Sequence, residues 1–166
     1  MKKRIIFIVF AALAVVALLA WGYGRASKEP RTEVHASAGG SLTATETLYD
    51  FGTISMANGK VSHSFRVANQ TADQVTLTNV QTSCMCTSAY LVKSDGTTEG
   101  PFGMPGMGGI NATNFVIPAQ STQTVDVVFD PAAHGPAGIG DINRFIDLMD
   151  VNGKTIELEI KAVVTP

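Results

Sequence analysis

The sequence predicts an all-β protein, an immunoglobulin-like antiparallel β-sandwich of about seven strands preceded by a single N-terminal transmembrane or signal-anchor helix. Three observations predict it. Short segments between residues 47 and 166 have a hydrophobic period of two, turn residues separate them, and a long apolar run lies at the N-terminus. Because that part of the chain has no amphipathic helical period, a mixed α/β domain is not expected.

The N-terminal segment has the features of a membrane anchor. Residues 1–4 form a basic tip, and the uncharged run that follows extends over residues 5–24 and ends with Trp21 and Tyr23 among its last residues. About 20 apolar residues can cross a bilayer as a helix, and flanking positive charge keeps the N-terminus inside. We therefore expect residues 1–4 in the cytoplasm and the C-terminal domain outside, periplasmic or extracellular. Small residues at 24–27 and 35–38 leave a cleaved signal segment as the alternative.

The next segment, residues 25–46, is rich in Ser, Thr, Ala, Gly and charge, which is typical of a flexible linker. The folded domain is then predicted at 47–166. It contains six basic and eleven acidic residues and so has a net charge of about −5. Nucleic acid is not expected as a partner because the domain has no cationic surface. The expected partners are the membrane, through residues 5–24, and a protein of the cell envelope.

Strand periodicity is clearest from Val61 to Val67, where alternate residues are apolar and His63 shares their face. His63 is therefore expected to be a hydrogen-bonded core residue rather than a ligand. Asn58-Gly59 and Asn152-Gly153 are predicted to form tight turns. The predicted strands are residues 49–54, 61–67, 75–80, 87–92, 122–129, 144–150 and 155–164.

Cys84 and Cys86 are the only cysteines, and they lie two residues apart at the end of a strand-like segment. Alternation along a strand would direct both sulfurs to one face and Met85 to the other. Three interpretations are open: packed inert thiols, a disulfide, or ligands of a soft metal. In a regular strand the two Cα atoms would lie about 6.6 Å apart, at the upper limit for a disulfide.

Four motifs resemble one bacterial family, number 1573 of the domains of unknown function, whose members are similar to Hydin-type immunoglobulin-like domains. They are Tyr49-Asp50-Phe51-Gly52-Thr53-Ile54, Ser64-Phe65-Arg66-Val67-Ala68-Asn69, Thr82-Ser83-Cys84-Met85-Cys86-Thr87 and Val127-Val128-Phe129-Asp130-Pro131. They extend in order over roughly residues 48–163. Members usually carry Cys-Gly-Cys-Thr at the third motif, where this chain has Met85. The resemblance implies a seven-stranded sandwich that is exported or attached to a membrane.

A Gly/Met-rich insertion is predicted at residues 94–114, with no strand or helix period. Its Met104 and Met107, together with Cys84, Cys86 and His134, form a set of soft-metal ligands. Thiolates and thioethers select Cu(I), which makes Cu(I) the one cofactor to be considered. Zinc fits less well because a structural zinc site usually has four Cys or His ligands at recognisable spacings.

The sequence contains no phosphate-binding loop, zinc-protease helix or nucleophile elbow, so we expect a protein that is not an enzyme, although thiol-redox activity stays open. Two functions follow from the sequence. The first is a membrane-anchored, extracytoplasmic immunoglobulin-like binding or structural module of the bacterial cell envelope. The alternative is a Cu(I)-binding or thiol-redox protein that uses the Cys-x-Cys pair. The absence of Cys-x-x-Cys at a helix N-terminus favours the first.

Overall fold

The computed structural model describes residues 41–166, which form two five-stranded β-sheets packed face to face. The first sheet has the order β1-β3-β8-β5-β6 and the second the order β2-β10-β9-β4-β7. The strands are β1 (Leu42–Ala44), β2 (Leu48–Ser55), β3 (Val61–Asn69), β4 (Val75–Thr82), β5 (Thr87–Val92), β6 (Thr98–Phe102), β7 (Ala112–Ile117), β8 (Ser121–Phe129), β9 (Gly140–Asp150) and β10 (Thr155–Thr165).

The predicted all-β, immunoglobulin-like sandwich is confirmed, but the strand count of about seven is too low. All seven predicted segments are strands, and β1, β6 and β7 are added to them. The sheets are also not wholly antiparallel, because β2 pairs in parallel with β10. Strand β1 belongs to the first sheet and β2 to the second, so the chain crosses between the sheets before β2 begins. Strand β2 then forms the edge of the second sheet and runs parallel to β10, with which it does not form a hairpin.

Two predicted boundaries need correction. The flexible linker is predicted to end at residue 46, yet β1 pairs with β3 in the register Leu42↔Asn69, so the folded domain includes at least residues 41–46. The insertion at 94–114 contains Thr98–Phe102 as strand β6 and the first residues of β7. Its irregular part is therefore shorter, residues 103–111. The predicted segments 1–4 and 5–24 lie outside the described residues.

Alternation along the strands builds the core. In β10 every second side chain is buried from Ile156 to Val164, and in β3 the side chains of Phe65 and Val67 are fully buried. Both sheets direct such residues inward, so the interior is a single apolar layer between them. Within residues 41–166 the helical elements are two short 3-10 turns, Met56–Asn58 and Gly135–Gly138. No helix in this part of the chain is long and apolar enough to cross a bilayer.

The two predicted tight turns have different outcomes. Asn152-Gly153 lies in the β9–β10 hairpin, where the Asp150 carboxylate accepts hydrogen bonds from the backbone N–H groups of Asn152 and Lys154. Asn58-Gly59 does not join paired strands, because β2 and β3 belong to different sheets. It ends the 3-10 turn there, with Gly59 at φ 79°, a conformation that favours glycine.

Four connections meet at one end of the sandwich, which we call the cysteine end. They are residues 56–60, 83–86, 103–111 and 130–139, and they follow strands β2, β4, β6 and β8. The register Thr87↔Phe129 places the start of β5 beside the end of β8, and the hydrogen bond from Thr82 N–H to Gly103 C=O joins two of the connections. The sheet topology therefore brings distant parts of the sequence to the cysteines.

Candidate functional site

The cysteines lie in a turn rather than in a strand. Strand β4 ends at Thr82, and the Thr87 N–H donates to the Cys84 carbonyl across the turn. This turn shortens the Cα–Cα distance between Cys84 and Cys86 to 5.3 Å, and the two sulfurs form a disulfide. The distance falls in the range usual for disulfides, so the extended geometry predicted from the sequence was wrong at this point. Met85, half exposed, projects from the turn between them.

The buried hydroxyl of Thr82 holds the turn in place. Its Oγ1 lies 3.0 Å from the Cys84 carbonyl oxygen and 3.1 Å from that of Thr87, and these two acceptors share its single O–H. Ser83 ties the same turn to β9, since its N–H donates to the Phe145 carbonyl and its Oγ accepts from the Phe145 N–H. The cysteine turn, residues 83–86, is thus fixed to the residues on either side of it, Thr82 and Thr87, and to β9 of the second sheet.

The two sulfurs have different surroundings. Cys86 is only 3% exposed, and the Nε of Arg144 lies 3.2 Å from its Sγ. Cys84 is half-buried, and its Sγ lies 3.1 Å from the Nε2 of His134, an exposed residue. One sulfur is therefore buried and faces a half-buried guanidinium, and the other faces an imidazole at the surface.

His134 reaches Cys84 through the connection that follows β8. The Asp130 N–H donates to the Cys86 carbonyl, which joins the start of this connection to the cysteine turn. The Asp130 carboxylate then accepts from the Ala132 N–H and begins the tight turn that leads to His134. A Cβ placed on Gly138 would lie 3.3 Å from the Cβ of His134, so glycine there leaves room for the histidine.

Three of the five predicted metal ligands come together at this end. The potential ligand atoms of Cys84, Cys86 and His134 all lie within 4.8 Å of one another. Met104 and Met107 lie on the 103–111 connection at the same end of the sandwich, with exposed side chains. Their participation stays a prediction. His63 is elsewhere: its Nε2 lies 3.0 Å from a Glu46 carboxylate oxygen, as expected for a hydrogen-bonded residue on the apolar face.

Sequence reasoning missed Arg144. It lies 58 residues after Cys86 in the sequence and reaches it only because β9 passes beside the cysteine turn. Arg144 begins the predicted strand at 144–150, and no spacing rule connects an arginine there to a cysteine so distant. Only six basic residues occur from 47 to 166, so each of them could have been considered as a partner for the cysteines, and this is the one indication of Arg144 in the sequence.

Comparison with known proteins supports the fold and the family resemblance. Residues 42–99 match the model of the family described as "Protein of unknown function (DUF1573)". The resemblance predicted from the sequence is therefore confirmed over that segment, which includes both cysteines but ends before the methionine loop and His134. No curated protein matches the chain in sequence.

Among solved structures, the chain is similar to a protein of unknown function from Porphyromonas gingivalis W83, with a TM-score of 0.54 and 14% identity. That similarity covers 78% of this chain and 49% of the other, so this chain spans about half the length of that protein. The likeness shows the fold alone, a two-sheet β-sandwich. The ASH/PapD-like domain 7 of human CEP192 gives a TM-score of 0.45 at 13% identity, covering 82% of this chain and 92% of that domain.

Proposed function

We propose that this chain is a membrane-anchored, extracytoplasmic immunoglobulin-like module of the bacterial cell envelope whose reduced Cys84–Cys86–His134 cluster binds Cu(I). The observation that carries the proposal is the convergence of two sulfurs and one imidazole nitrogen within 4.8 Å. Thiolates select Cu(I) strongly among the ions available to a protein, and an imidazole is a suitable additional ligand. The basic tip and apolar run at residues 1–24 support the proposed location.

The surroundings of the cluster suit a metal that needs thiolate ligands. Two thiolates and Cu(I) together carry one negative charge, and the Arg144 guanidinium beside Cys86 offsets it. The N–H that Arg144 directs at the sulfur would also orient this ligand, as outer-shell hydrogen bonds do in metal sites. His134 and Cys84 lie nearer the surface than Cys86, so metal could enter from their side.

An anaerobic competition titration of the reduced, full-length chain against a chromogenic Cu(I) chelator tests the proposal. We expect uptake of one Cu(I) per chain, lost in the Cys84→Ser, Cys86→Ser double variant. His134→Ala should weaken binding by about tenfold or more, and His63→Gln, which changes a histidine paired with Glu46 away from the cluster, should not. Replacing Met104 and Met107 with Leu should weaken binding without abolishing it. Equal Cu(I) uptake by the double cysteine variant and the parent chain would overturn the proposal.

A second candidate function is protein docking at a sheet edge. Strand β7 is the last strand of the second sheet, and it leaves Val116 42% exposed. An exposed edge strand can recruit an extended segment of another protein by adding it to the sheet. A photo-crosslinking residue at Asn114 should then capture an envelope protein in cells, whereas the same residue at Asp95, in the β5–β6 turn, should not. Identical products from both positions would contradict edge docking.

A further inference from the structure

We infer that Cys84–Cys86 is a directional thiol–disulfide exchange site, in which an incoming thiolate attacks Cys84 and Cys86 leaves as the thiolate beside Arg144. The inference does not depend on metal binding. It rests on the unequal surroundings of the two sulfurs, which differ in exposure and in the polar side chain that each one contacts.

Access selects the sulfur that is attacked. Exchange requires the attacking sulfur to approach one end of the disulfide, so the more accessible sulfur reacts first. Cys84 is half-buried and packs against the edge of the hydrophobic core, whereas Cys86 is 3% exposed and belongs to that core. Attack on Cys84 is therefore favoured by position alone.

Stabilisation of the Cys86 thiolate as leaving group also favours attack on Cys84. When the bond breaks, the electron pair moves to the departing sulfur, and exchange is faster when the protein stabilises that charge. The Nε–H of Arg144 is 3.2 Å from the Cys86 sulfur and can donate a charge-assisted hydrogen bond to it. Attack at Cys86 would instead place the charge on Cys84, whose polar neighbours are the exposed His134 ring and the backbone N–H of Cys86, with no guanidinium among them.

The full reaction needs a dithiol as reductant. Its first thiolate forms a mixed disulfide with Cys84 and releases the Cys86 thiolate. Its second thiolate then attacks the reductant's own sulfur in that mixed disulfide, which releases the Cys84 thiolate 3.1 Å from the His134 ring. The dithiol loses two electrons and becomes a disulfide, and the cysteine pair gains two electrons. The substrate class is thus a protein or small-molecule dithiol, and the reverse direction oxidises it.

Trapping the mixed disulfide tests which of the two cysteines is attacked. The oxidised, full-length chain is treated with reduced glutathione in the presence of a Cu(I) chelator, quenched with acid and analysed by fragmentation mass spectrometry. Because Met85 separates the two cysteines, the fragments distinguish glutathione on Cys84 from glutathione on Cys86. We expect it on Cys84. Glutathione on Cys86, or equally on both, would overturn the inference, and this measurement needs no substitution that could disturb folding.

A second measurement tests the role of Arg144. Reduction by dithiothreitol should be slower in Arg144→Met by about tenfold, the loss expected for one hydrogen bond to a charged group. Arg144→Lys should recover part of the rate, because it restores the charge. Arg66→Met, which removes an exposed arginine of β3, is the matched control and should react as the parent does. An unchanged rate in a folded Arg144→Met protein would exclude Arg144 from the exchange. Since the reaction is followed without metal, its failure and that of Cu(I) binding are distinguishable.

Discussion

The Nε of Arg144 and the Sγ of Cys86 lie 3.2 Å apart, a contact between the middle of the second sheet and the turn that connects it to the first. A long cationic side chain is thereby held against a sulfur that is almost fully buried. Arg144 is itself only half-buried, and its Nη1 donates to the Asn143 carbonyl at an exposed position, so the guanidinium extends from the surface to the buried sulfur. Together with the nearby His134 imidazole, this contact is a reason to regard the cysteine pair as a chemical site.

Oxidation should block Cu(I) binding. In the disulfide neither sulfur is a thiolate, and the thiolate is the form that binds metal. We expect the oxidised chain to take up no Cu(I) in the chelator competition and to recover uptake after reduction and removal of the reductant. Equal uptake by both forms would show that the bound metal is held by other residues.

The Thr82→Val substitution should destabilise the domain. Valine keeps the buried shape but removes the O–H that the Cys84 and Thr87 carbonyls share. The Cys84 carbonyl keeps the Thr87 N–H as a donor, but the Thr87 carbonyl loses this buried hydrogen bond. The expected loss in free energy of unfolding is about 1–3 kcal/mol. Urea unfolding curves measure it, and Thr53→Val, at an exposed position in β2, is the control. A loss no larger than that of the control would show that the hydroxyl does not support the turn.

The pair formed by Glu46 and His63 should contribute to stability, because His63 contacts Oε2 of a mostly buried carboxylate whose other oxygen, Oε1, has no hydrogen-bond partner. Their side chains are mostly buried, 16% and 20% exposed, and the ring of His63 stacks on Tyr49 with a centroid distance of 3.5 Å. His63→Phe keeps an aromatic ring but deprives the carboxylate of its partner, at a cost of about 1–3 kcal/mol. Adding Glu46→Met should recover most of the loss. A double variant whose loss equals the sum of the two single losses would contradict this coupling.

The domain should become less stable as pH rises through the range in which Glu157 loses its proton. Burial, followed by the neighbouring carboxylates of Asp147 and Glu159, raises the pKa of Glu157 in the folded protein. The folded state then binds this proton more tightly than the unfolded state does. The contribution to stability is therefore present at low pH, and it is lost as pH rises through the unfolded and then the folded pKa.

The Glu157→Gln variant isolates that effect. It should be more stable than the parent at neutral pH, by at most about 0.5 kcal/mol because surface charges are screened. The advantage should disappear at acidic pH, where Glu157 is protonated in both states. Thermal unfolding at pH 3 and pH 7 measures it. A gain that is independent of pH would indicate that the carboxylate's charge is not the cause.

The three strands absent from the prediction show where sequence patterns stop being sufficient. Strand β1 has only three residues, in a segment whose composition is that of a linker, and it forms because the edge of β3 accepts it. Strand β6 contains Gly100 and Pro101, which are uncommon within strands. Strand β7 does have a period of two: Thr113, Phe115 and Ile117 are buried, and the residues between them are exposed.

The site was partly predictable for a different reason. Residue type alone identifies Cys84, Cys86 and His134 as possible soft-metal ligands, so they could be named from the sequence. Their proximity is not local, because the β4–β5 and β8–β9 connections meet only through the pairing of β5 with β8. The same holds for Arg144, whose position depends on β9.

The chain enters the sandwich far from its cysteines. Leu42 of β1 pairs with Asn69, the last residue of β3, and Ser41 donates a hydrogen bond to Asp150 at the β9–β10 hairpin. Both contacts are at the pole opposite the cysteine end, and β3, with nine residues, separates the poles by about 30 Å. If residues 5–24 hold the protein to the membrane as proposed, the chain leading from the anchor joins the domain at the pole opposite the disulfide. The point of attachment then does not obstruct the cysteine end.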